Sequence, residues 1–285
     1  MREADRLKRC PGAERAARAL RHLQGRLRGA KPVRWALTRG YKSGLVALGE
    51  RNTYLIPGRW VTVDWVGADV KVNLRDGGRL PFPRESQRFI YSAHLIEHLD
   101  DASILRLFSE CRRILRPGGW LRVETVDAKR LVNAYLGGER SFFDYFVRGY
   151  RQYAVERAGV PTAVLEPHNL LVGELSSYLD SKTEPGGHLP VVASKAEVDR
   201  RLEELDLDGF GRWCVSLQTT DQYTSGGHVN CLHFEKLERM LREAGFLSVA
   251  DVRNGYSVAG FPLRGIERPH RAFYSVYLEA RGEGP

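Results

Sequence analysis

Short apolar runs alternate with segments of helical period along most of the chain. Gly44–Gly49 (GLVALG), Val61–Trp65 (VTVDW), Val70–Leu74 (VKVNL), Phe89–Ala93 (FIYSA) and Trp120–Thr125 (WLRVET) each read as a short buried strand. Between the fourth and fifth, Ile104, Leu107, Cys111 and Leu115 recur at helical spacing, and Pro117-Gly118-Gly119 closes that helix. A later helix spans His233–Ala244, with Phe234, Leu237 and Leu241 on one side and Gly245 as its stop. Strands at Val249–Arg253 and Phe273–Ala280 follow it. Strands alternating with helices predict an α/β fold, a doubly wound and mostly parallel sheet with helices on both faces.

Residues 127–230 break this rhythm. Their first part is rich in aromatics, from Tyr135 through Phe142, Phe143, Tyr145, Phe146 and Tyr150 to Tyr153. Their second part carries the turn clusters Pro185-Gly186-Gly187 and Gly226-Gly227 and a helix opened by the capping box Ser194 and Glu197. The segment reads as a cap inserted into the core. Its aromatic run is core by default and a homodimer contact or a pocket wall by alternative. No internal repeat or low-complexity tract is present.

Charge divides the chain in a second way. Residues 1–43 hold thirteen Arg and Lys against three acids, which accounts for the whole net charge of +9. Leu20, Leu23 and Leu27 repeat at helical spacing there, so residues 1–43 read as a basic helical arm preceding a domain over 44–285. Such an arm packs on the domain through its leucines, or touches RNA or a membrane surface, or acts in targeting. The near-neutral body disfavours a nucleic-acid binder, whose basic face belongs to the fold itself. No apolar run reaches the roughly 18–20 residues of a membrane span. Cys10, Cys111, Cys214 and Cys231 lack CxxC spacing, which fits a reducing compartment. A soluble cytoplasmic protein is expected.

In a doubly wound sheet, ligands bind outside the carboxyl ends of the strands, near the switch in strand order. Gly49 closes the first strand, where a residue without Cβ lets a ligand approach the backbone. Asp64 ends the second, where a carboxylate can accept both hydroxyls of a ribose, and Trp65 beside it offers a flat face to a purine. Asn73 ends the third strand, and Ser92 and His94 end the fourth.

These residues, with LPFPRESQRFIYSAHLIEHL (Leu80–Leu99) followed by ECRRILRPGGWLRVETVD (Glu110–Asp127), resemble the class I S-adenosylmethionine (SAM) methyltransferases. The specific likeness is to bacterial predicted methyltransferases encoded near saccharide and natural-product biosynthesis genes. LREAGFLSVADV and IERPHRAFYSVYLEAR look like that family's last helix and closing strands, so the resemblance covers most of 44–280. It implies a Rossmann-like fold and SAM as cofactor. Asp64 would then hold the ribose, Trp65 would lie against adenine, and Asn73 with Leu74 would line the adenine pocket. Gly49 and the following loop would meet the methionyl end, and Ser92 to His94 would pass near the sulfonium.

The chain departs from the family in its glycine-rich loop. LGERNTYLIPG (Leu48–Gly58) places Glu50 and Arg51 where a small residue and a second Gly are usual. Arg51 could clamp the methionyl carboxylate or fill the pocket. His94 and His98 are candidate catalytic bases, with His168 and His228 behind them. His98 follows His94 by one helical turn, so with Glu97 all three are expected at the start of the helix after the fourth strand. The trio His228, Cys231 and His233 lacks a fourth ligand, and no metal is expected there.

The reading that follows is methyl transfer from SAM to an O or N of a small molecule or saccharide. Two rivals are a SAM enzyme that transfers or cyclises another part of SAM, and an accessory protein that kept the fold and lost the cofactor. A nicotinamide dehydrogenase is disfavoured, because no GxGxxG follows the first strand.

Overall fold

The computed structural model describes residues 43–50, 60–75, 78–156, 162–177, 193–218, 227–263 and 265–282. The proposed arm, but for Ser43, and Arg51 lie outside these residues. Seven strands form one sheet: β1 (Leu45–Leu48), β2 (Val61–Asp64), β3 (Val70–Lys71), β4 (Gln87–Ala93), β5 (Leu115–Val126), β6 (Ser248–Val252) and β7 (Ser275–Arg281). Their order is β3-β2-β1-β4-β5-β7-β6. The first five are parallel, and β7 runs antiparallel to both of its neighbours. This is the expected doubly wound, mostly parallel α/β sheet.

Helices α1 (Asp101–Ile114) and α7 (Phe234–Glu243) cover one face. Asp100 caps α1 by accepting from Ser103 N at 2.7 Å, and Ile104, Leu107, Phe108, Cys111 and Ile114 form its buried stripe. That stripe packs with Leu237 and Leu241 of α7 against Val46, Leu48, Val61, Val63 and Ile90 of the strands. On the opposite face, Leu45, Ala47, Phe89 and Tyr91 are covered by Trp60 and by Phe261 and Leu263 of the loop after β6. Phe261 stacks on Phe89 with ring centroids 4.2 Å apart.

Among the described residues, five α-helices lie between β5 and α7: α2 (Ala128–Leu136), α3 (Arg140–Tyr150), α4 (Pro167–Ser176), α5 (Lys195–Glu204) and α6 (Leu207–Ser216). They share a hydrophobic core of their own, in which Phe142, Phe143, Phe146, Leu170, Leu171 and Phe210 are buried. Ser194 caps α5 through Glu197 N. Gly211 of α6 lies against the returning chain so closely that a Cβ there would stand 2.0 Å from Cys231 Cβ.

Three elements differ from the sequence expectation. β3 stops at Lys71, because Asn73 Oδ1 turns back to accept from Arg75 N at 3.1 Å and ends the extended run. Pro117-Gly118-Gly119 lies inside β5 rather than before it, where the pairing slips between Gln87↔Leu115 and Phe89↔Trp120 as a bulge. His94, Glu97 and His98 precede the helix instead of starting it. Glu97 and His98 belong to a 3₁₀ turn over Ile96–His98, and α1 begins three residues later.

A fully buried arginine ties the late strands to the covering loop. Arg122 on β5 donates from Nε to Glu267 Oε1 at 2.7 Å and to the carbonyls of Tyr256 and Arg253 at 3.2 and 3.0 Å. Its cross-strand partner Glu279 lies 3.7 Å away and accepts from Val258 N and Ala259 N. Removing one member of such a buried set leaves the others uncompensated and costs about 3–5 kcal/mol. Arg122→Met should lose that much in urea unfolding. Glu267→Gln combined with Arg122→Met should cost less than the sum of the two single changes.

Candidate functional site

Strand order reverses between β1 and β4, and the carboxyl ends of these two strands, with β2 and β5 beside them, define the candidate site. Gly49, just past β1, has φ +74, and a Cβ on it would come within 2.9 Å of the Leu95 side chain. Only glycine suits that position. Asp64 ends β2 half-buried, with Oδ1 accepting from Trp65 N at 2.6 Å. Trp65 is 60% exposed, so it lies on the surface beside Asp64 and not in the core. Asn73 and Leu74 follow β3; Leu74 is buried in the core below α1, while Asn73 keeps partial exposure. Ser92 on β4 is buried between Leu48 of β1 and Val123 of β5, and its Oγ has no hydrogen-bond partner among the described residues.

His94 follows β4 with φ +46, an unfavourable backbone state for a residue with a Cβ, worth about 1–2 kcal/mol. Four contacts hold it there. Its backbone N donates to the Glu124 carbonyl at 2.9 Å, Nδ1 lies 3.0 Å from Glu97 Oε1, and Nε2 meets Ser275 Oγ at 3.0 Å and Glu124 Oε1 at 3.5 Å. Burial alone would push the imidazole down, but Glu97 and Glu124 outweigh it and hold His94 above the ordinary histidine range. Glu97 is 1% exposed. Burial opposes its charge, and His94 overcomes that and keeps the carboxylate well below its usual range. Glu97 Oε2 also accepts from Thr125 Oγ1 at 2.8 Å.

His98 faces the cap rather than His94. Its Nδ1 lies 3.3 Å from the Gly227 carbonyl, and its ring meets that of His228 at 4.8 Å between centroids. His228 Nδ1 in turn sits 2.6 Å from the carbonyl of Glu174 on α4. His168 stands apart from this group, against Asn169. Cys231 and His233 also lie elsewhere: Cys231 Sγ contacts the Leu207 carbonyl, and His233 contacts Glu235 and Asp208.

Glu124, Arg268 and Arg271 were not singled out from the sequence, and Glu50 only as a departure in the glycine-rich loop. Glu124 stands in the wholly buried end of β5 and accepts from Tyr91 Oη at 2.9 Å and Tyr277 Oη at 3.3 Å. An acid inside a buried strand was the available signal. Glu50 turns inward at the same edge, where burial raises its carboxyl against the pull of Arg268 and Arg271. Those two arginines flank Pro269-His270 just before β7, and only the fold carries them across to β1. A groove of about 880 Å³ bordered by Arg79, Arg84, Arg106, Arg112 and Arg113 lies on α1, beyond the opposite end of β4. It is remote from these residues.

Residues 57–123 match the family model of a methyltransferase domain, from just before β2 to the middle of β5. No curated protein matches the chain in sequence. Among solved structures, a SAM-dependent methyltransferase from Thermotoga maritima is similar at 14% identity, over 88% of this chain and 91% of that one, with a TM-score of 0.37. One from Mesorhizobium loti is similar at 13% identity over 83% and 90%, with a TM-score of 0.38. A third, from Archaeoglobus fulgidus, is similar at 14% identity over 89% and 93%, with a TM-score of 0.37. The strand order shows a doubly wound α/β sheet, and residues 57–123 within it are similar to a methyltransferase domain.

Burial, and then the neighbouring His98, push His228 down to about 4. A histidine lowered from 6.5 binds its proton more readily unfolded than folded, so its contribution is full above pH 6.5 and is lost as pH falls toward 4. In EDTA-containing buffer between pH 7.5 and 5, the wild-type unfolding free energy should fall about 2 kcal/mol further than that of His228→Asn. Parallel curves would show that His228 titrates as an ordinary surface histidine.

Proposed function

We propose that the protein is an enzyme that transfers a methyl group from SAM to an oxygen or nitrogen of a small molecule or saccharide. The observation that carries this reading is the gathering of Gly49, Glu50, Asp64, Ser92 and His94 at one carboxyl edge, at the switch between β1 and β4. Two features of that edge fit a bound SAM: the left-handed, Cβ-free backbone at Gly49, and the buried Ser92 hydroxyl left without a partner among the described residues. When bound, SAM supplies an electrophilic methyl on its sulfonium, open to in-line attack.

The chain's own groups divide the remaining work. Asp64 would accept from the ribose hydroxyls, Trp65 would lend its exposed face to adenine, and Asn73 and Leu74 would border the same end. Glu50 would pair with the methionyl ammonium, and Arg51, Arg268 or Arg271 with its carboxylate. Both carboxylates around His94 favour its imidazolium, so His94 acts by positioning Glu97 and Glu124. A proton leaving the acceptor would pass to His98, whose Nδ1 is engaged with the Gly227 carbonyl and whose Nε2 can accept. The near-neutral body beyond residue 43 supports a small acceptor over a nucleic acid, with the helical cap over the site providing its walls.

Calorimetric titration with SAM and S-adenosylhomocysteine tests the reading. Micromolar binding, about −8 kcal/mol, is expected for both. Asp64→Ala should weaken it by about 1–3 kcal/mol through unpaired ribose hydroxyls. Absence of binding would sink the enzyme reading and favour an accessory protein. Methylthioadenosine as the product, instead of S-adenosylhomocysteine, would replace methyl transfer with another SAM reaction.

A further inference from the structure

Where the sheet meets the cap, three groups of metal-ligand type converge beside the edge just described. Glu97 and His98 come from the 3₁₀ turn after β4, and His228 comes from the segment leaving the cap. One ligand atom from each falls within 4.8 Å of the other two. His228, Cys231 and His233, near one another in sequence, make separate contacts: Cys231 with Leu207, and His233 with Glu235.

Their hydrogen bonds determine which atoms remain to bind an ion. His98 Nδ1 and His228 Nδ1 each face a backbone carbonyl, those of Gly227 and Glu174. A carbonyl can only accept, so each ring carries a proton on Nδ1, and in the neutral tautomer that binds a metal the lone pair is on Nε2. Imidazoles bound to metals are oriented in this way, by a second interaction at the far ring nitrogen. Glu97 is anionic and fully buried, and its Oε1 has an ion-pair contact with His94 but no aligned hydrogen bond among the described residues. His94 spends both ring nitrogens on Glu97, Ser275 and Glu124, so it positions the carboxylate and adds no ligand. Val229 N donates to the Glu97 carbonyl at 2.8 Å, which locks the two halves of the cluster together.

We propose that Glu97, His98 and His228 bind one divalent first-row transition-metal ion, of which zinc fits best, through a carboxylate oxygen and two Nε2 atoms. Two imidazoles and one carboxylate match catalytic zinc sets, which keep a further position for water or substrate. Magnesium and calcium favour all-oxygen sets, and soft copper(I) favours sulfur. With bonds of about 2.1 Å, ligand atoms on one ion stand at most about 4.2 Å apart, so side-chain shifts below about 1 Å close the site. The ion would also clamp the cap to the sheet, since its ligands come from both. Should the acceptor reach the open position, the cation would polarise its oxygen and take over the role of His98 as base. Metal binding itself stands independently of the SAM reading.

The test uses the full chain, stripped with chelator and titrated with Zn²⁺ in competition with a chromophoric chelator. One Zn²⁺ per chain is expected, with a rise in melting temperature. His228→Gln and Glu97→Gln should each weaken binding by on the order of 100-fold or more, and His233→Ala should leave it unchanged. Co²⁺ loaded into the unmodified protein supplies a readout that no variant can confound by misfolding. Visible d–d bands without a thiolate charge-transfer band are expected. No stoichiometric Zn²⁺ binding, equal affinity in the His228→Gln protein, or a thiolate-to-cobalt band would each overturn the proposal.

Discussion

A buried carboxylate has to be compensated, and Glu97 is the point on which the carboxyl edge of this protein turns. At 1% exposure its charge would be prohibitive alone. Compensation comes from two sides of the sheet edge, His94 after β4 and Thr125 on β5, while Val229, from the chain leaving the cap, bonds the Glu97 backbone carbonyl. The strained backbone at His94 persists because its ring and its backbone N are both held against β5 and β7. The chain leaving the cap is thus fixed to the backbone of the residue whose charge the sheet edge compensates.

A second buried charge does for the late strands what Glu97 does for the early ones. Arg122 and its two glutamates bind the loop over residues 253–268 to β5 and β7, and that loop supplies the aromatic cover of the sheet's second face. The same loop leads into Arg268 and Arg271, which face Glu50 across the site. An ion set in the core thus determines where two surface arginines can act. Buried charges of this kind specify an arrangement more than they stabilise it.

The chemistry of the edge follows from how these sets are placed. Glu97 and Glu124 favour the protonated form of His94, which organises its neighbours, while His98 and His228 each direct Nδ1 at a backbone carbonyl. The cap contributes half of that arrangement. The methyl transfer proposed here would ask mainly for positioning, and the contacts between cap and sheet would supply it.

By itself, the chain's pattern of apolar and polar positions determined the mostly parallel sheet, the helices around Ile104–Ile114 and Phe234–Glu243, and the strand ends at Gly49, Asp64 and Ser92. These are local matters: buried strands need apolar runs, helices need a 3.6-residue stripe, and turns need glycine or asparagine. Only the tertiary structure decided which polar groups meet. Glu97 and His228 are 131 positions apart in the chain, and Glu50 and Arg271 are 221, so no spacing rule could join them. His228, Cys231 and His233 look like a cluster in sequence and part company in space, because Cys231 packs under α6 and His233 opens α7. Sequence proximity predicts contact within an element; across elements, contact is set by the sheet order and by the need of each buried charge for a partner.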